Sequence, residues 1–196
     1  MKKIGLPVNT QFQIAANASV NVNEALDLTR QARSNRHVIL ESAMTIEREL
    51  SGIISYYFLG AVHEKKTIFD EMILNSDWCS FAAKRKLIKY IINEQNVFES
   101  SEKNIFEKLF QRIMSFRNAF AHGEISSDGK IVWLSYFEGT PKKQEISDEY
   151  LTEIEKYFDR AYKCCFIIKY KIGIYKSDER TQSRFMDALD SLRSDC

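Results

Sequence analysis

The chain is organised around residues 115–123, which read Ser-Phe-Arg-Asn-Ala-Phe-Ala-His-Gly. They end a helical pattern that begins near residue 103 and precede the clearest hairpin pattern in the sequence. Apolar side chains recur along it at steps of four and three, the spacing of one helix face; they are Phe106, Phe110, Ile113 and Phe120. Arg117 falls on the same stripe. The pattern therefore predicts a helix over about 103–122 with a guanidinium group set into its apolar face.

A charge on an apolar stripe is costly unless it has a partner. The partner of Arg117 could be a carboxylate from another helix, a second subunit or a phosphate on a ligand. Glu47 and Glu49 flank the apolar face of a long predicted helix and are the acidic candidates, with Glu47 preferred. Both could equally be solvated residues at the edge of that face.

His122 lies near the predicted end of the same helix. Gly123 suits the left-handed residue that often follows a helix C-terminus, which places His122 in the last turn. Asn118 and His122 are four residues apart and so share a face, and the side chain of Arg117 is long enough to reach them. These three residues are candidates for one site.

Composition favours one large domain and gives little guidance on partners. The chain has 196 residues, 44% of them hydrophobic, and a net charge of +1. Nucleic-acid binding would therefore need a local basic patch. The four cysteines and three histidines show no ligand spacing, so we expect no metal, no cofactor and no disulfide framework. No leader or membrane-spanning pattern is present, which favours a cytoplasmic protein with no membrane partner.

The periodicity predicts a mainly α fold of about six helices around one core, in a single domain over 23–196. We interpret residues 1–22, rich in Asn, Gln and Ala, as an N-terminal arm that we expect to be mobile. Helical patterns cover about 23–33, 36–59, 64–74, 80–94, 103–122, 148–171 and 178–193. One two-stranded β-hairpin, at about 130–147, is inserted after the motif helix.

The strongest basic cluster lies on the helix over 80–94 and consists of Lys84, Arg85, Lys86 and Lys89. Such a cluster is commonly a solvated helix face. If it lines the same groove as His122, it becomes a candidate RNA-binding surface along which phosphates can track.

Arg117, Asn118 and His122 have the chemistry to act on a phosphate. A histidine titrates near neutral pH and can move a proton, and an arginine fork can hold a phosphoryl group while charge develops on it. RNA fits these tools best, because its 2′-hydroxyl is an internal nucleophile that one base can deprotonate. The alternative is a helix cap and a buried polar network with no catalytic role.

The segment from Phe116 to Gly123 resembles the R-x(4 to 6)-H motif of the HEPN superfamily, here Arg117-Asn118-Ala119-Phe120-Ala121-His122. The resemblance implies a helical bundle that commonly forms homodimers with a composite active site. It also implies a metal-independent endoribonuclease, often a toxin or antiphage-defence effector, with RNA as substrate and in some systems an antitoxin protein as partner.

By residue, the resemblance maps the catalytic arginine and histidine of the family onto Arg117 and His122, and its polar follower onto Asn118. An acidic residue on the earlier helix, seen in many members, maps less closely onto Glu47. The alternative within the same family is a non-catalytic RNA- or nucleotide-binding or regulatory module, similar to the mannitol operon repressor. A third hypothesis is a scaffold in which Arg117 is closed in a salt bridge.

Overall fold

A computed structural model describes residues 22–193, and this part of the chain is mainly helical with a small antiparallel sheet. The N-terminal arm expected over 1–22 lies outside the described residues except for Val22. The helices are α1 (Val22–Leu59), α2 (Lys66–Phe69), α3 (Phe81–Glu94), α4 (Ser100–His122), α5 (Asp148–Lys171) and α6 (Glu179–Arg193). The strands are β1 (Glu124–Ser127), β2 (Val132–Glu138) and β3 (Thr140–Glu145).

The core lies where α1, α3, α4 and α5 pack together, and α6 covers one side of α5. The apolar stripe predicted on α4 is confirmed, because Phe106, Phe110, Ile113 and Phe120 are each at most 1% exposed. Burial of so many large side chains is the main stabilising term for the bundle.

The long helix α1 corrects one expectation, since it runs unbroken where two helices with a cap at Ser34 or Asn35 were predicted. Ala32 and Ile39 are both buried, one on each side of the expected break. Packing of this continuous face outweighs the weak helix propensity of Ser34 and Asn35. Gly60 ends α1 with a positive φ of 77°, as the sequence predicted.

The sheet corrects a second expectation, because it has three strands in the order β1-β2-β3 where a two-stranded hairpin was predicted. The added strand, β1, pairs antiparallel with β2, from Glu124 opposite Ser135 to Ser127 opposite Val132. Its polar sequence resembles a turn, but Ile125 packs against the core and the backbone pairs with β2. Backbone pairing does not require apolar side chains, and the pattern therefore missed this strand.

The connection from α1 to α3 consists of α2, a π-helical turn (Asp70–Leu74) and a loop over 75–80. A short helix was predicted over 64–74; the structure has helical turns over 66–74, of which 70–74 are π-helical, and they end before Asp77-Trp78. Leu74 is fully buried and anchors the π-helical turn to the core. Within the described residues, no helix has both the length and the apolar character needed to cross a membrane.

Candidate functional site

The end of α4 is shaped by Gly123, although not in the way that was predicted. Gly123 is extended (φ −77°, ψ 156°), not left-handed, because the chain enters β1 at the next residue. A Cβ here would lie 2.3 Å from the carbonyl oxygen of Ala119 and 2.7 Å from Cδ1 of Leu134. The glycine is needed for this close approach of backbone to helix. His122 is the last residue of α4, as predicted, and its side chain is exposed.

Arg36 of α1 holds this helix end in place. Its guanidinium group donates hydrogen bonds to the carbonyl oxygens of Ala121, at 2.8 Å, and Gly123, at 3.4 Å. Carbonyl groups at a helix C-terminus lack partners within the helix and carry partial negative charge, so a cation stabilises them. Sequence reasoning missed Arg36. The available signal was its position three residues before the buried Ile39, at the edge of the apolar face of α1.

Arg117 is half-buried and lines an open cavity of about 350 Å³ between α1, the loop over 75–80 and α3. Its Nη1 atom donates a long hydrogen bond of 3.4 Å to Oδ1 of Asn118. Among residues 22–193, no carboxylate forms an ion pair with it. The cost of placing the charge near the apolar stripe is therefore reduced by solvent in the cavity and by Asn118, not by an acidic partner.

Glu47 lines the same cavity, but its ion pair is with Lys84. Oε1 of Glu47 lies 2.8 Å from Nζ of Lys84, whose side chain is only 5% exposed. The expected pair between Glu47 and Arg117 is therefore wrong, because the buried ammonium group has the greater need of the carboxylate. Glu47 and Arg117 nevertheless line the same cavity.

Glu49, the other acidic candidate, points away from this cavity and pairs with Lys169 of α5. Burial lowers the pKa of Lys169, but the hydrogen bond and charge of Glu49 outweigh it, so that the pKa is raised overall. Glu49 thus joins α1 to α5, and of the two acidic residues predicted from the sequence only Glu47 lines the cavity of Arg117.

Arg48 is a further cation that lines the cavity of Arg117 and that sequence reasoning missed. It donates a hydrogen bond of 3.0 Å to Oγ1 of Thr45 and has no ion pair with any carboxylate of the described chain. Its only signal was its place next to Glu47 on α1. Asp77 also lines this cavity, but among the described residues neither it nor Glu47 forms an ion pair with Arg48 or Arg117. These two guanidinium groups therefore face one cavity without an ion-pair partner, an arrangement suited to an anion.

The structure does not bring all the predicted residues into this cavity. Asn118 and His122 are exposed on α4 and do not border it. The hydrogen bond of Asn118 with Arg117 connects the cavity to the exposed face of α4 that carries His122. The candidate site thus has an enclosed part around Arg117 and Glu47 and an open part around His122.

The four cations predicted to bind RNA are distributed around α3 and do not form one uniform patch. Lys84 is buried against Glu47, whereas Lys86 is exposed. Arg85 and Lys89 both face Glu107, at 3.9 Å and 3.1 Å respectively. Of the four, only Lys84 borders the cavity of Arg117. The local positive charge near that cavity comes mainly from Arg48 and Arg117.

The chain matches no model of a known protein family, no curated protein and no solved structure.

Proposed function

We propose that the protein is a metal-independent endoribonuclease of the HEPN type that acts at the C-terminal end of α4. The observation that carries the proposal is the guanidinium group of Arg117. It has no carboxylate partner among the described residues and faces an open cavity, about one and a half helical turns from an exposed histidine, His122. An RNA phosphate would supply the missing negative charge.

The reaction follows from the chemistry of these side chains. His122 takes the proton from a ribose 2′-hydroxyl, and the 2′-oxygen attacks the adjacent phosphorus. The bond from phosphorus to the 5′-oxygen then breaks, leaving a 2′,3′-cyclic phosphate and a 5′-hydroxyl that receives a proton. Arg117 stabilises the negative charge on the phosphorane, and Asn118 positions Arg117. Glu47 acts indirectly, by holding Lys84 at the cavity wall.

A homodimer would complete the site. Two copies of α4 meeting across a dyad would place a second His122 where it can protonate the leaving 5′-oxygen, in an isologous arrangement. The exposed Asn118 and His122 leave this end of α4 open for such contact. In a cell, uncontrolled RNA cleavage would be toxic, which fits a toxin with an antitoxin protein or an antiphage-defence effector in the cytoplasm.

The direct test is to incubate purified protein with single-stranded RNA in EDTA and to analyse the ends of the products. The proposal predicts cleavage with 2′,3′-cyclic phosphate or 3′-phosphate ends. RNA with a 2′-O-methyl group at every ribose is the matched control and should stay intact, since the nucleophile is blocked. Intact natural RNA at high protein concentration would contradict the proposal.

One observation favours the second candidate function, a non-catalytic RNA- or nucleotide-binding module. The cavity of Arg117 is bordered by three cations, two carboxylates and several hydroxyl groups, but not by His122. Such a cavity can hold an anion without moving a proton. This candidate predicts RNA binding that Arg117→Ala weakens and His122→Ala leaves unchanged, with no cleavage in either case.

A further inference from the structure

An apolar cavity of about 690 Å³ lies next to the cavity of Arg117. Its walls come from α2, the π-helical turn and the loop that follows. Trp78 is 91% exposed, Met72 is 69% exposed and Ile68 is 57% exposed. Exposed apolar side chains in one patch mark a binding surface far more often than chance, and π-helical turns recur at functional sites.

The two cavities have a common wall. Ser76 and Cys79, both in the loop over 75–80, line the apolar cavity and also the cavity of Arg117. A ligand that crosses this loop would meet apolar side chains on one side and two guanidinium groups without an ion pair on the other. It must therefore combine an anionic group with a planar apolar group a short distance away.

We propose that the two cavities together bind one nucleoside phosphate unit. The phosphate lies against Arg48 and Arg117, and the base stacks on Trp78 in the apolar cavity. Base stacking on an exposed aromatic side chain is tolerant of sequence, so the site holds single-stranded nucleic acid without reading its bases. That this unit comes from RNA rests on the proposed function. A free nucleotide has the same phosphate and base and is the other possible source.

Size and charge favour this ligand over a protein segment. A volume of 690 Å³ lies within the range of small-molecule sites, which is about 300–1,000 Å³. An apolar protein helix would fill the cavity around Trp78 but would leave Arg48 and Arg117 without an anion. Lys65 and His63 at the rim add hydrogen-bond donors for a ribose or a base edge.

The test is binding by the full chain, measured by fluorescence anisotropy with a 2′-O-methylated RNA trinucleotide that cannot be cleaved. Adenosine 5′-monophosphate, adenosine and inorganic phosphate serve as competitors. Trp78→Ala should lower the affinity for the trinucleotide and for the monophosphate roughly five- to hundredfold, and Trp78→Phe should keep most of the affinity. Arg48→Ala should lower the affinity for the monophosphate roughly tenfold but leave the affinity for adenosine unchanged.

Matched controls remove exposed side chains of the same type elsewhere. Phe137→Ala deletes an aromatic ring that is 74% exposed, and Arg30→Ala deletes a guanidinium group on α1 that is 75% exposed. Both should bind like the wild type. Binding of the trinucleotide well above that of the monophosphate assigns the site to RNA, and the reverse assigns it to a free nucleotide; either supports the site.

Three outcomes would overturn the inference: no binding of any probe, affinity unchanged in Trp78→Ala, or loss of self-association in Trp78→Ala with nucleotide affinity intact. The last would identify the apolar cavity as a protein-docking surface. The inference and the proposed function fail separately. Binding that depends on Trp78, without cleavage of natural RNA, would support the binding site and contradict the proposed nuclease activity. Cleavage of RNA with binding that does not depend on Trp78 would support the nuclease activity and contradict the binding site.

Discussion

Lys84 is the charge in the site that is hardest to accommodate. Its ammonium group is almost fully enclosed and depends on Glu47, whose side chain is 21% exposed toward the cavity. Removing one partner of such a pair leaves the other charge desolvated, which is more costly than replacing both. The pair therefore keeps one wall of the Arg117 cavity rigid.

We predict that Glu47→Ala lowers the free energy of unfolding by about 3 kcal/mol, because it leaves the buried ammonium group of Lys84 without its ion-pair partner. The double variant with Glu47→Leu and Lys84→Met should lie within about 1 kcal/mol of the wild type, since both charges are gone. Urea unfolding of the wild type, Glu47→Ala, Glu47→Leu, Lys84→Met and the double variant measures this, and the last three with the wild type form the double-mutant cycle. Additive effects of the two single changes would show that the pair contributes nothing to stability.

At the scale of elements, the decisive feature is the junction between α4 and β1. The chain leaves the helix at Gly123 and starts to pair with β2 one residue later, while Arg36 satisfies the last carbonyl groups. The position of His122 is thus set by a helix, a strand and a cation from α1.

We predict opposite effects for two Gly→Ala changes. Gly123→Ala should destabilise the protein by about 1–3 kcal/mol, because the new methyl group overlaps the Ala119 carbonyl oxygen and Leu134. Gly52→Ala, in the middle of α1 with nothing within 4 Å of the new Cβ, should stabilise it by about 0.5–1 kcal/mol. Thermal unfolding of both variants provides the comparison. A stabilised Gly123→Ala would show that the chain at this junction can move away from the Ala119 carbonyl group and Leu134.

The elements that the sequence predicted well are those set by local periodicity. The stripe of α4 and the end of α1 at Gly60 both follow from neighbouring residues. The continuity of α1 through Ser34 and the pairing of β1 depend on contacts with distant residues, which periodicity does not contain. Both were therefore missed.

In the candidate site too, features set by neighbouring residues were predicted and features set by distant contacts were missed. Arg117 and His122 belong to one helix, where a spacing of five residues sets them about 140° apart, so the prediction of one site relied on the length of the Arg117 side chain. The structure places Arg117 in the cavity and His122 outside it. Arg36 and Arg48 come from a helix far away in sequence and resemble ordinary solvated cations until α1 is packed against α4. The choice of Lys84 as the partner of Glu47 likewise depends on burial, which no motif records.

At the scale of the whole molecule, α1 is the central element, because it contacts α3, α4, α5 and the sheet. The other side of the core is closed by α5. Its two adjacent cysteines, Cys164 and Cys165, are at most 1% exposed. Burial raises the pKa of the Cys164 thiol to about 12 and that of Cys165 well above its usual range.

We predict that these two thiols are inert in the folded protein. The thiolate is the reactive form, and a raised pKa keeps it scarce at pH 8. Iodoacetamide should label Cys79, which is partly exposed, and should label Cys164 and Cys165 only after denaturation. Mass spectrometry of digested samples measures this, with Cys196→Ser removing the remaining thiol. Rapid labelling of Cys164 or Cys165 under native conditions would show that the core around α5 opens readily.

The most direct test of the central claim is the rate of RNA cleavage in EDTA by His122→Ala, with His37→Ala as its matched control. Both histidines are exposed on helices, so neither change should alter thermal unfolding appreciably. We predict a loss of about 10²- to 10⁴-fold for His122→Ala and a wild-type rate for His37→Ala. Cleavage by a folded His122→Ala at the wild-type rate would contradict the assignment of catalysis to the end of α4.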